Sequence, residues 1–295
     1  MMAQSVSNFA DRLAAAVRRT GTPVMVGLDP RLQQLPAAIR GDVQAGDVRK
    51  VALTYTTFCR EIIDVVAPLV GVVKPQAAFF EQLGPHGMLA LGDVIRYAHE
   101  KGLVVVLDGK RNDIGSTATA YAQGMLGPGG ASPWGSDALT VSPYLGDDSL
   151  TPFVDVAKER GAGIFVLVKT SNPGGKMLQD LVVDEQPIYR RVGAFVNDLA
   201  QQTIGDCGYG AVGAVVGATY PEQLSELRAA MPQTWFLVPG FGAQGGTAAD
   251  VVAAADGHVG DHPRPDRLTP PGVGPDLLEP VAHLDHRLVV PGLEP

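Results

Sequence analysis

Seven short apolar runs, each followed by a longer amphipathic stretch, dictate what this chain can fold into. The runs are Pro23–Leu28, Val70–Lys74, Leu103–Asp108, Ala138–Ser142, Gly163–Lys169, Ala211–Val216 and Trp235–Pro239. They are continuously apolar rather than alternating, the pattern of strands covered on both faces. Helical periodicity fills residues 47–68, 86–101, 114–124, 148–160, 187–204, 221–230 and 246–255, with Asp47, Asp148 and Pro221 as helix openings. Phe9, Leu13, Ala16 and Val17 add an amphipathic helix within Ser5–Arg19. Such regular β-α alternation leaves two architectures, a closed (β/α)8 barrel or an open doubly wound sheet.

Several function classes are disfavoured. With 31 Asp+Glu against 23 Lys+Arg, the chain carries a formal net charge of −8, which argues against a nucleic-acid-binding surface. No apolar run approaches the ~20 residues that span a bilayer. Ser5–Arg19 has charge in every turn and lacks the apolar core of a signal peptide. Cys59 and Cys207 support neither a disulfide framework nor a zinc cluster, so a reducing, cytoplasmic setting is expected.

The residues 104–121, VVVLDGKRNDIGSTATAY, carry the chemistry. Strand alternation points Asp108 and Lys110 to the same side, at the strand end where a parallel barrel builds its pocket. Asp113 lies where the chain enters the next helix, and Thr117 follows one turn later on the same face. A surface salt-bridge cluster is the plainer reading, but three charges directly behind five apolar residues argue against it. Lys74 ends the preceding strand in the same way, so Lys74, Asp108, Lys110 and Asp113 form a candidate array of alternating charge. Opposite charges ~4 Å apart attract by about 4 kcal/mol at an effective dielectric near 20, enough to hold both lysines protonated and fixed.

The glycine-rich segment Pro239–Gly246 follows the seventh run and precedes a helix. Backbone N–H groups at such a junction attract phosphate. Gly240, Gly242 and Gly245 match G-x-G-x-x-G, yet the match comes late in the chain and has no acidic strand end ~20 residues on, so a dinucleotide site is disfavoured. A phosphate loop after strand 7 of a barrel fits better.

Together these segments resemble the orotidine 5′-phosphate decarboxylases, in their longer bacterial form, over roughly Ser7 to Ala255. The resemblance rests on Gly27-Leu28-Asp29-Pro30, Val73-Lys74-Pro75-Gln76 with Phe79-Phe80-Glu81, Asp108 through Gly115, Ser142 through Gly146, Thr170-Ser171-Asn172-Pro173 and the Pro239–Gly246 loop. It implies a (β/α)8 barrel that dimerises and converts orotidine monophosphate to UMP and CO2 with no metal and no organic cofactor. By motif, Lys110 is the proton donor of the Lys74–Asp108–Lys110–Asp113 array. Asp113 and Thr117 resemble residues supplied across the dimer interface. Asp29 resembles a ribose contact, Ser171 a pyrimidine contact, and Gln244 with Gly245 the phosphate-side closure. Related sugar-phosphate decarboxylases and aldolases share the D-x-K-x-x-D core but generally need Mg²⁺.

The family pattern also implies an eighth strand bearing an arginine for the phosphate. None is apparent after residue 255. From Gly257 to Pro295 the chain instead holds eight of its 23 prolines and four of its six histidines. Residues 1–256 are therefore expected to form the barrel domain and 257–295 an atypical, irregular tail, with strand 8 and the C-terminal helix in doubt. A tail of this kind opens a further alternative, a non-catalytic nucleotide-binding remnant.

Overall fold

A computed structural model describes residues 7–240 and the segment 286–290. All seven apolar runs are strands: β1 (Val24–Leu28), β2 (Val72–Pro75), β3 (Val104–Arg111), β4 (Ala138–Val141), β5 (Gly163–Lys169), β6 (Val212–Val216) and β7 (Phe236–Val238). They run parallel, each paired with the next. An eighth strand, β8 (His286–Val290), closes the barrel between β7 and β1. The helices between strands include α2 (Val48–Val66), α3 (Gly84–Glu100), α4 (Gly115–Met125), α5 (Thr151–Arg160), α6 (Ile188–Gln201) and α7 (Pro221–Ala230), after an N-terminal α1 (Phe9–Thr20).

The expectation of a tail without a strand is corrected here. β8 lies within the tail and pairs antiparallel with both neighbours, Val26 facing His286 and Val238 facing Leu288. A β-α period places strand 8 directly after the helix near residue 255, so a short run some 30 residues later, in the opposite direction, lies outside that pattern. The helix expected over 246–255 lies outside the described residues. Asp47 caps α2 as expected, its carboxylate accepting from the Lys50 N–H, whereas α5 opens at Thr151 rather than at Asp148.

Strand alternation sorts the core into two shells. Val26, Val73, Val105, Leu139, Ile164 and Val166 point outward against the helices. Met25, Val72, Val106, Phe165, Val215 and Leu237 fill the barrel interior together with Phe9 and Leu13 of α1. Helix α1 thus plugs the N-terminal end of the barrel. Phe9 meets Phe165 edge-on at 6.0 Å. A Cβ at residue 163 would lie 2.1 Å from the Phe9 ring, so Gly163 is required where the plug enters. Arg12 pairs with buried Asp137 and donates to the Gly161 carbonyl at 2.8 Å. With that end sealed, the open end is the one where the strand C-termini lie. No helix among the described residues is long and apolar enough to cross a membrane.

Candidate active site

Parallel pairing of β2 and β3 sets Val72 beside Val104 and continues to a bridge between Gln76 and Asp108. Lys74 and Asp108 are therefore two steps apart along adjacent strands, on one face. Lys74 is long enough to span that diagonal, and its Nζ lies 2.9 Å from Asp108 Oδ2, with both side chains fully buried. Gln76 Nε2 donates to the same oxygen at 3.0 Å. Lys110 Nζ reaches the other oxygen, Oδ1, at 2.7 Å. The Lys110 side chain is 46% exposed, so this ammonium forms the solvent-facing rim of the cluster while Lys74 forms its floor.

The backbone that presents Lys110 is irregular. Between the pairs Leu107–Leu139 and Arg111–Val141 the register of β3 and β4 shifts. Asp108, Gly109 and Lys110 thus stand against the single residue Thr140. Lys110 has φ 45°, the left-handed region that a side-chain-bearing residue adopts only under constraint. Bulges of this kind recur beside active sites because they re-aim a side chain. The Thr140 hydroxyl accepts the Lys110 N–H at 2.9 Å and donates to Asp108 Oδ1 at 2.9 Å. Beyond the bulge, Arg111 pairs with Glu81, and Asn112 bonds the Ser142 carbonyl and, at 3.1 Å, the Ser149 hydroxyl.

Of the array expected from sequence, the structure brings together Lys74, Asp108 and Lys110. Asp113 lies outside this cluster; its carboxylate accepts from the Ile114 N–H at 2.8 Å. Thr117 is exposed on α4, with Ile114 and Tyr121 also exposed nearby in sequence. Asp29 is half-buried just past β1, where its charge adds to burial in pushing the Cys59 thiol up. Ser171 follows β5, with its carbonyl accepting from the Thr219 hydroxyl at 3.0 Å. Gln244 and Gly245 lie outside the described residues. A cavity of about 310 Å³ lies between the loops after β4 and β5, lined in part by Ser142, Tyr144, Leu167 and Gln179.

Three polar residues received no role from the sequence. Gln76 and Thr140 each bond Asp108, and the single hydroxyl within the apolar run ALTV was the available signal. Lys169 ends β5 as Lys74 ends β2 and is fully buried, yet it pairs with Asp180 and lies 4.5 Å from the Tyr220 ring centroid and 5.4 Å from that of Tyr189. No group of three or more His, Cys, Asp or Glu arranged to hold a metal occurs among the described residues.

A charged cluster at the strand C-termini of a barrel invites comparison with known proteins. Residues 22–264 match the orotidine 5′-phosphate decarboxylase / HUMPS family. A Rhodopirellula baltica orotidine 5′-phosphate decarboxylase is 64% identical over 250 residues, covering 84% of this chain and 83% of the relative. The chain belongs to this family. A Deinococcus radiodurans orotidine 5′-phosphate decarboxylase is 45% identical over 248 residues, covering 83% of this chain and 82% of the relative. The solved Leishmania donovani OMP decarboxylase aligns with TM-score 0.63 and 36% identity, covering 79% of this chain and 80% of that one. Within an orotidine 5′-phosphate decarboxylase / HUMPS frame, the barrel and its open end are the expected arrangement.

Proposed function

We propose that this chain decarboxylates orotidine 5′-phosphate to UMP and CO2, the last step of de novo pyrimidine synthesis. The observation that carries the reading is the convergence of two ammonium groups on one carboxylate at the open end of the barrel. The similarity to named decarboxylases supports it.

In this reading the bond from C6 to the substrate carboxylate breaks, CO2 leaves, and the electron pair stays on C6. No adjacent carbonyl spreads that charge, so a fixed cation aimed at C6 is the useful catalytic group. Lys110 supplies it and then gives C6 a proton. Asp108, saturated by donors, fixes both lysines. The chain acts as a homodimer in which Asp113 and Thr117 complete the partner's site. Asp29 holds the ribose, Ser171 the pyrimidine, and Gln244 with Gly245 the phosphate. Phosphate binding far from C6 lowers the barrier by fixing orientation. The enzyme is cytoplasmic and uses no metal or organic cofactor.

An absorbance assay with orotidine 5′-phosphate, run with and without EDTA, tests this. Turnover unchanged by chelator is expected. Absence of turnover overturns the reading, and turnover abolished by EDTA points to the Mg²⁺-dependent relatives instead.

A further inference from the structure

We propose that Thr140 is the positioning residue of this site. Its hydroxyl would both hold Lys110 in its left-handed turn and fix the carboxylate that orients the Lys110 ammonium. The inference rests on the decarboxylase reading, because it concerns the same lysine.

The register shift makes Thr140 the one β4 residue that faces Asp108, Gly109 and Lys110. It is 1% exposed, so water does not compete for its hydroxyl. A threonine hydroxyl has one hydrogen and two lone pairs. The hydrogen is committed to Asp108 Oδ1 at 2.9 Å, because an ionised carboxylate only accepts. A lone pair therefore meets the Lys110 N–H at 2.9 Å. The two bonds are complementary, and each fixes the hydroxyl in the orientation that the other needs.

Lys110 is thereby held at both ends. Its backbone N–H is tied to Thr140, and its Nζ lies 2.7 Å from the oxygen that Thr140 also bonds. The φ of 45° at Lys110 is strained for a residue with a side chain and persists only where its surroundings impose it. The backbone bond from Thr140 is one such constraint. On the other oxygen, Lys74 and Gln76 donate at 2.9 and 3.0 Å. Four donors thus meet the carboxylate's roughly four acceptor positions. Loss of the Thr140 hydroxyl would leave Oδ1 a donor short and the Lys110 turn without its anchor.

Three substitutions at residue 140 separate the hydroxyl from the methyl. Thr140→Val keeps the shape and removes the hydroxyl, Thr140→Ser keeps the hydroxyl, and Thr140→Ala loses both. Each is assayed for kcat and KM on orotidine 5′-phosphate and for thermal midpoint. We expect Val and Ala to lower kcat about 10- to 100-fold, the cost of a hydrogen bond to a charged group, with KM changed less than about threefold. Ser should retain kcat within about threefold. A Val variant matching wild type, or a Ser variant falling as far as Ala, overturns the inference, since packing alone would then explain the residue. If Val fails to fold, the Ser–Ala comparison decides by the same criterion. An inactive wild type would overturn the decarboxylase reading itself and this inference with it. An active wild type with hydroxyl-independent kinetics would overturn this inference alone.

Discussion

Lys110 Nζ lies 2.7 Å from the carboxylate of Asp108, two residues earlier on the same strand, although the backbone between them leaves regular β geometry at φ 45°. The bulge lets Lys110 fold its ammonium back over the carboxylate of Asp108 while leaving the amine partly open to solvent. On the other oxygen of Asp108 the partner is Lys74, fully buried. One carboxylate thus joins two lysines of very different exposure, and these two should respond differently to mutation.

Lys110→Ala removes the exposed member. We expect at least a thousandfold loss of decarboxylation, roughly the scale of a lost general acid that also stabilises charge. Stability should fall less than when the carboxylate itself is lost, because Lys74, Gln76 and Thr140 still donate to the buried Asp108. Turnover above a tenth of wild type would rule out Lys110 as the proton donor.

Asp108→Asn should cost both activity and stability. It takes the negative charge from a fully buried pair and leaves the Lys74 ammonium facing a neutral amide. Breaking a buried pair on one side costs about 3–5 kcal/mol. Denaturant unfolding of this variant beside Lys110→Ala measures the contrast; equal stability in the two would show that Lys74 is compensated by other means.

Asp113 and Thr117 make a prediction only for an assembly. Within one chain, Asp113 bonds its own loop and Thr117 is exposed. If two copies share each site, Lys110→Ala and Asp113→Ala protomers are both inactive alone, yet their heterodimer contains one site with both groups intact. Statistical mixing then restores about a quarter of the wild-type sites. Recovery near zero in fully exchanged mixtures would place Asp113 outside the partner's site.

Much of this was legible in the chain because a barrel strand is buried on both faces and so reads as an uninterrupted apolar run. Lys74, Asp108 and Lys110 interrupt or end such runs, which is why they stood out. Thr140 did not, because its polarity is modest and its importance comes from a register shift between β3 and β4 that only pairing reveals. Gln76 was visible as part of a motif, but its bond to Asp108 depends on which β3 residue lies beside it. β8 was missed for a different reason. It lies some 30 residues beyond the place where the β-α period puts an eighth strand, after a proline-rich stretch.

At the opposite end of the barrel, Asp137 should govern acid stability. It is buried at the entrance to β4, where Arg12 of the α1 plug pairs with one oxygen and His99 Nε2 lies 2.8 Å from the other. The Val105 N–H donates to that second oxygen at 2.8 Å. Burial alone would raise the Asp137 pKa, but the His99 hydrogen bond and the Arg12 charge more than offset it and hold the carboxyl below its ordinary value. A lowered folded-state pKa contributes stability that is present above the unfolded value near 4 and is lost as pH falls through the folded value. Asp137→Asn should therefore lower the urea midpoint near neutral pH and flatten its decline below about pH 4. An unchanged acid limb would show that other carboxylates dominate it.

Gly217 gives the sharpest steric test, because Ser171 is packed directly against it. A Cβ on residue 217 would lie 2.7 Å from Ser171 Cα and 2.8 Å from its N, backbone atoms that cannot rotate away. Gly217 N–H also donates to the Lys169 carbonyl at 2.7 Å, so β6 cannot easily retreat from β5. Gly217→Ala must therefore push the Ser171 loop outward. If Ser171 holds the pyrimidine, a shift of about 1 Å should cost on the order of a hundredfold in kcat/KM. In a Ser171→Ala background that contact is already gone, so adding Gly217→Ala should cost much less. Equal losses in both backgrounds would show that Gly217 acts on the barrel rather than through Ser171.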